Sequence, residues 1–85
     1  MTLYTDQLKK KIIYRSNYRG TKEMDKLLGT FTKENIDDLN YEELFDLEKL
    51  LNIDDTNLYN YYTGAKTDYE IENNKVNLLF KNFKY

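Results

Sequence analysis

Met24, Leu27, Leu28 and Phe31 recur at i, i+3, i+4 and i+7, and Val76, Leu79, Phe80 and Phe83 repeat the interval near the other end of the chain. That spacing places four apolar side chains on one face of a helix, and no other regular structure satisfies it. Leu44, Leu47, Leu50 and Leu51 make a third such face. Nothing competes with the helical pattern, because the chain has no proline and 3 glycines, whereas β-rich and disordered chains draw heavily on both for turns and linkers. The expected fold is therefore all-α, a small five-helix bundle.

Boundary signals divide the chain. Residues 5–17 read as a first helix with Leu8 and Ile12 inward and Lys9, Lys10 and Lys11 largely outward. Gly20 separates it from the second helix. The third opens at "NYEE", where Asn40 can accept an orphan helix N–H and Glu43 can reach back in a capping box. Asp54 or Asp55 can cap "TNLYNYYT", and Gly64 stands where a left-handed C-terminal cap is wanted. The fifth helix is expected to open at "TDYE", with Thr67 as cap and Glu70 three residues on. Gly29 lies inside the second helix, where it costs about 1 kcal/mol relative to alanine. Either another helix crosses closely there or the helix bends, and close crossing is the favoured reading.

At 85 residues a single domain over 1–85 is expected, too small for two cores. With no Cys it has no disulfide to reinforce it. The start, "MTLYTDQLKKK", lacks the apolar run of a secretory leader, and no window approaches the roughly 18 apolar residues of a membrane span. A soluble, cytoplasmic protein is expected, without membrane insertion and monomeric when free. The absence of both His and Cys removes thiolate nucleophiles, imidazole bases and most zinc sites. No D-x-D-x-D-G loop offers a calcium site, so no metal is expected. Nor do the remaining carboxylates, amines and phenols suggest a convergent catalytic pair, so an enzyme is not expected.

Charge is segregated along the chain. Residues 9–26 carry seven basic side chains against Glu23 and Asp25, while residues 34–55 carry nine carboxylates against Lys49. A molecular dipole is expected. The basic N-terminal face supports one functional reading, a helical adaptor that binds nucleic acid or an acidic protein, although a solvated helix face explains the same residues. In "LYNYY", Leu58, Tyr61 and Tyr62 can pack inward while Tyr59 points elsewhere, and the surplus of phenols suits a partner surface.

The stretch "NYRGTKEMD" at 17–25 interrupts two amphipathic segments. Arg19 and Glu23 are four apart and can form an ordinary exposed ion pair, with Gly20 merely ending a helix. Alternatively, Gly20 removes a side chain so that another backbone or a flat ligand can approach, while Arg19 offers a planar fork to a carboxylate or phosphate. The residues themselves leave both readings open.

"YRGTKEMD" at 18–25 resembles the Arg-Gly-x-x-Glu signature of the SdhE family, the small succinate dehydrogenase assembly factors that promote covalent FAD attachment to the flavoprotein subunit. "KLLNIDDTNLYNYYTG" at 49–64 is similar to that family's Leu-Leu…Asp-Asp-x-x-Leu-(aromatic)-x-(aromatic) block, at the family spacing, and the resemblance extends over roughly residues 8–80. It implies a partner-binding surface of Arg19, Gly20, Glu23 and Asp25, and places Tyr59 and Tyr61 in the helix bundle. The chain departs from the family in having Tyr18 where a second arginine is frequent, with Thr21 and Lys22 between the glycine and the glutamate; Lys22 or Arg15 would supply the second charge. The implied partner is the succinate dehydrogenase flavoprotein, with the fumarate reductase flavoprotein left open as a second client. The implied cofactor is that partner's FAD, with none bound stably by this chain. Since flavin in the family joins a histidine of the flavoprotein, a chain without His or Cys must act non-covalently. The Arg19–Gly20 turn would dock on the client and align FAD with its target, and Arg19 could stabilise charge developing on the isoalloxazine.

Overall fold

The computed structural model of the chain describes residues 3–84. The single-domain expectation over 1–85 also takes in residues 1, 2 and 85, which lie outside the described residues. Five helices form: α1 (Leu3–Asn17), α2 (Lys22–Asn35), α3 (Tyr41–Leu51), α4 (Asp55–Thr63) and α5 (Lys75–Lys81), with one turn of 3-10 helix at Ile36–Asp38 following α2. The first helix starts two residues earlier than its sequence pattern indicates.

The caps expected at Asn40, at one of Asp54 and Asp55, and at Gly64 form, and Thr21 adds one that the sequence pattern did not single out. Thr21 accepts the Met24 N–H at 3.2 Å and opens α2. At the start of α3, Asn40 accepts from the Glu43 N–H at 2.8 Å while the Asn40 N–H donates to Glu43 at 2.9 Å. That backbone bond, reinforced by Lys75, holds the Glu43 carboxyl below its ordinary pKa. Of the two candidate aspartates, Asp54 caps α4, accepting the Asn57 N–H at 3.2 Å. Gly64 ends that helix with φ +83°, a conformation L side chains rarely adopt.

α1 lies against both α2 and α3, and α5 rests on α3 and α4. Between them one apolar cluster forms, with Ile12, Leu28, Phe31, Leu44, Leu47, Leu58, Val76 and Phe80 wholly out of water. Each such side chain contributes about 1.5–3 kcal/mol of burial. Phe31 meets the edges of Phe80 and Phe83 at 5.3 and 5.4 Å, so the aromatic residues of the two outermost stripes close the core from opposite ends of the chain. Gly29 is buried where the end of α1 crosses α2: a Cβ there would overlap the Asn17 carboxamide and come to 3.9 Å from the Ser16 carbonyl oxygen.

Three expectations are corrected. The fifth helix begins at Lys75, capped by Asn74, and not at Thr67. Residues 65–74 are instead pinned as an irregular connection by Asn57 of α4, whose carboxamide oxygen accepts the Asp68 N–H at 2.8 Å, and by Ile71, which is buried in the core. Those interactions hold Asp68 and Ile71 where a helix from Thr67 would not place them. The last stripe also loses a member, since Leu79 is exposed and Phe83 packs from beyond the helix end. Finally, Lys9 does not point outward, because the two charge blocks meet directly. Lys9 reaches Asp37 at 3.3 Å, Lys11 reaches Glu48 at 2.8 Å and Arg19 reaches Asp55 at 2.9 Å, so basic and acidic segments clasp one another across the bundle. Lys9 is mostly buried in doing so.

No helix among the described residues is long and apolar enough to cross a membrane. Among the same residues, no group of three or more acidic side chains is placed to hold a metal ion.

Candidate functional site

Between α1 and α2 the chain reverses within residues 18–21. Gly20 makes this possible with φ +126°. The requirement is conformational rather than spatial, because a Cβ at Gly20 would meet only Asp55 Oδ2, at an ordinary 3.9 Å.

Arg19 turns inward from this reversal. Its Nε donates to Asp55 Oδ1 at 3.0 Å, its Nη2 to the Ile53 carbonyl at 2.6 Å, and its Nη1 to the Leu51 carbonyl. The Leu51 carbonyl belongs to the last turn of α3, one of the oxygens a helix cannot pair internally and where its dipole favours a cation. The guanidinium therefore ties off α3, the α3–α4 junction and the first residue of α4 together. Its side chain is only 10% exposed. On the other side, the Arg19 N–H donates to Asp25 in the first turn of α2, so the reversal is fastened at both ends.

The remaining expected site residues fall into two groups. Arg15, in the last turn of α1, donates to Asn52 and also faces the α3–α4 junction. Gly20, Lys22 and Glu23 are exposed on the outer side of the turn. The expected Arg19–Glu23 ion pair is absent; Asp55 takes its place because the guanidinium is drawn beneath the turn, and Glu23 is left projecting from α2. Tyr18 stands 70% exposed with its ring 4.6 Å from that of Tyr14.

A family model described as the flavinator of succinate dehydrogenase matches residues 10–84. The chain belongs to this family. It is 38% identical over 56 residues to the FAD assembly factor SdhE of Acetobacter pasteurianus, a match covering 66% of this chain and 51% of that protein. It is 39% identical over 56 residues to the mitochondrial succinate dehydrogenase assembly factor 2 of Dictyostelium discoideum, covering 66% of this chain and 40% of the relative. The corresponding protein of Cryptococcus neoformans is 33% identical over 61 residues, covering 72% and 34%. The matched region thus spans about half the length of these curated relatives or less. No solved structure matches the chain.

Within this flavinator-family chain, the two sequence blocks that carried the resemblance are in direct contact. Asp54 and Asp55 are neighbours with different duties: the first caps α4, the second receives Arg19. Asn57 bonds raise no question about the first; together with Arg19 they hold the Asp54 carboxyl below its ordinary pKa, the Asn57 side chain having the largest effect. In the second block Leu58 and Tyr61 are buried and Tyr62 packs against the core, as expected, and burial raises the Tyr61 phenol above its usual pKa. Tyr59 does not join the interior of the bundle; it is 52% exposed, since α4 turns the face of Asn57, Leu58 and Tyr61 to the core and Tyr59 lies off that face.

Arg19 contributes by holding the turn. To reach a flavin outside, its guanidinium would have to leave the Leu51 and Ile53 carbonyls and strand Asp55. Sequence reasoning did not single out Asp55 as its partner, although two adjacent aspartates where one cap suffices were a signal. It also passed over Ile13 and Tyr14, which are exposed beside Tyr18.

Proposed function

We propose that this chain binds the flavoprotein subunit of succinate dehydrogenase transiently and promotes covalent attachment of FAD to it. The reading takes its direction from the family, and from the FAD assembly factor among the relatives. The observation that carries it is the Gly20 turn, a conformationally special reversal locked from beneath by Arg19 while Gly20, Lys22 and Glu23 stay exposed above. Such a turn has little of its ordering entropy left to lose on association, which is what a docking element requires.

The chain's part in the chemistry is non-catalytic. Having no His and no Cys, it offers neither of the usual side chains for a flavin linkage, so acceptor and cofactor both belong to the client. Docking at the turn holds the immature flavoprotein in the arrangement in which its bound FAD meets the acceptor. Positioning of this kind can supply several kcal/mol of a barrier without any group transferred by the positioning protein. The flavin remains on the client throughout.

The test is covalent flavin on the cognate flavoprotein, read as fluorescence in a denaturing gel, with and without this chain. A rise with wild type that disappears with Gly20→Arg, while the variant keeps its helicity, is the expected result. Unchanged fluorescence together with no complex between the two proteins would overturn the reading.

A further inference from the structure

α1 carries two stripes. Leu8, Ile12 and Ser16 face the core. Lys10, Ile13, Tyr14 and Asn17 repeat the same i, i+3, i+4, i+7 interval on another face, with Tyr18 immediately beyond. These five residues line a shallow concavity in which Ile13 is 42%, Tyr14 65% and Tyr18 70% exposed. At the centre of this second face Ile13 and Tyr14 form an apolar patch that no described residue covers, flanked by the polar Lys10 and Asn17.

The charges around this face differ from those elsewhere in the basic segment. Lys9, Lys11, Arg15 and Arg19 all turn to partners within the chain. Lys10, Lys22 and Lys26 form no ion pair among the described residues, and neither does Lys33. On α2, Lys22, Lys26 and Lys33 share a stripe with Gly29, the point at which the end of α1 crosses. Three of the uncommitted lysines, Lys10, Lys26 and Lys33, border the α1–α2 seam on the side where Ile13 and Asn17 enter it, with Asp25 and Asp37 at its edges.

We propose that this seam is a second docking element, continuous with the Gly20 turn through Tyr18, for a surface of the flavoprotein that has an apolar depression bordered by carboxylates. The assignment rests on the proposed function above. Tyr14 and Tyr18 supply large, stiff, amphipathic anchors of the type that dominates interface energetics. Lys10, Lys26 and Lys33 supply the complementary rim and steer the encounter. A protein surface fits better than nucleic acid because both arginines of the segment are spent internally and three lysines beside an apolar centre make a poor phosphate track.

The experiment measures affinity for the FAD-loaded, not yet flavinylated flavoprotein by calorimetry, with covalent flavin read in parallel. The variants are Tyr14→Ala with Tyr18→Ala, and Lys10→Glu with Lys26→Glu and Lys33→Glu, each compared with wild type for helicity and melting temperature. Because all five positions lie at the surface, the fold is expected to persist, and Ile13→Gln provides an independent disruption should either set unfold. Each variant is expected to bind tenfold or more weakly, in line with the loss of central anchors or of matched charge. Wild-type affinity in the folded variants, with wild-type flavinylation intact, would remove the seam and leave the proposed function standing. Failure of wild type both to bind and to raise covalent flavin would remove both. Tight binding of a labelled RNA or DNA oligonucleotide, abolished by the lysine variant while flavoprotein affinity is untouched, would reassign the face to nucleic acid.

Discussion

The reversal at residues 18–21 and the connection at residues 64–74 solve one problem, fixing irregular backbone, with different chemistry. In the first, four residues are fastened chiefly by one cation whose three nitrogen atoms reach two carbonyls and a carboxylate from a distant part of the chain, with the Arg19 N–H on Asp25 securing the other end. In the second, eleven residues are fastened by a neutral amide: Asn57, itself buried, accepts from the Asp68 N–H and donates to the carboxylates of Asp54 and Asp68. Ile71 in the core and the Tyr61 hydroxyl on Asn73 at 3.0 Å assist. A short turn that must present an exposed outer surface has no room for an apolar anchor of its own, so one multidentate side chain has to do the holding. A long connection can spread the work over an amide, a phenol and an aliphatic side chain. The first should therefore fail all at once and the second piecemeal.

Replacing Arg19 is the severest test of that contrast. Arg19→Ala leaves Asp55 unpaired and the Leu51 and Ile53 carbonyls without their donor, and is expected to cost about 3 kcal/mol. That is a large share of the roughly 5–10 kcal/mol a domain this small can hold. Urea unfolding followed by circular dichroism measures it. Arg19→Lys keeps the charge but loses the fork, so less than half of the loss should be recovered; full recovery would show that charge alone holds the turn.

Asn57→Ala should cost less, about 2 kcal/mol, because Ile71 and Tyr61 still retain the connection. Hydrogen exchange should accelerate at the amides of residues 65–74, with Asp68 foremost, and remain at wild-type rates around Gly20. A loss equal to that of Arg19→Ala, or exchange spreading to both regions, would mean that the two connections form one cooperative unit.

Acidification gives the smallest effect. The carboxyls of Asp54 and Glu43 are both depressed in the folded chain, so their capping contribution is fully present above the ordinary carboxylate pKa and is lost as pH falls through the lowered values. Melting temperature should hold from neutral pH down to that range and decline below it. Since the Asn57 side chain is the largest cause of the shift at Asp54, Asn57→Ala should make the decline shallower; an unchanged slope would exclude Asp54 as a source of it.

Much of this architecture could be read from the residues. The stripes of α2 and α3, the Asn40–Glu43 box, the Gly64 cap and the break at Gly20 depend on spacing and backbone preference, which act between residues a turn or two apart. Gly29 was legible as either a close crossing or a bend, since a glycine at a helical position needs a reason, and the contact with Asn17 and Ser16 decides for the crossing. The start of α5 was misread because "TDYE" has a genuine capping pattern, yet Asn57, ten residues earlier, holds the Thr67–Asp68 region in another conformation. Arg19 is the same lesson at the site. Its nearest opposite charge on the helix is Glu23, whereas the partner it finds, Asp55, lies thirty-six residues away and comes with two carbonyl oxygens at the end of a helix.

The sequence by itself determined that the chain would be helical, where most helices begin and end, and that Arg19 and Gly20 interrupt the pattern. Tertiary structure alone decided which side of that interruption is structural and which is offered outward. Local rules fix conformation through energies of a few tenths to about 1 kcal/mol between near neighbours. The direction of one guanidinium is set by unpaired carbonyls and a carboxylate that come within reach only after α1, α3 and α4 have packed, when leaving them unsatisfied costs more than any local preference.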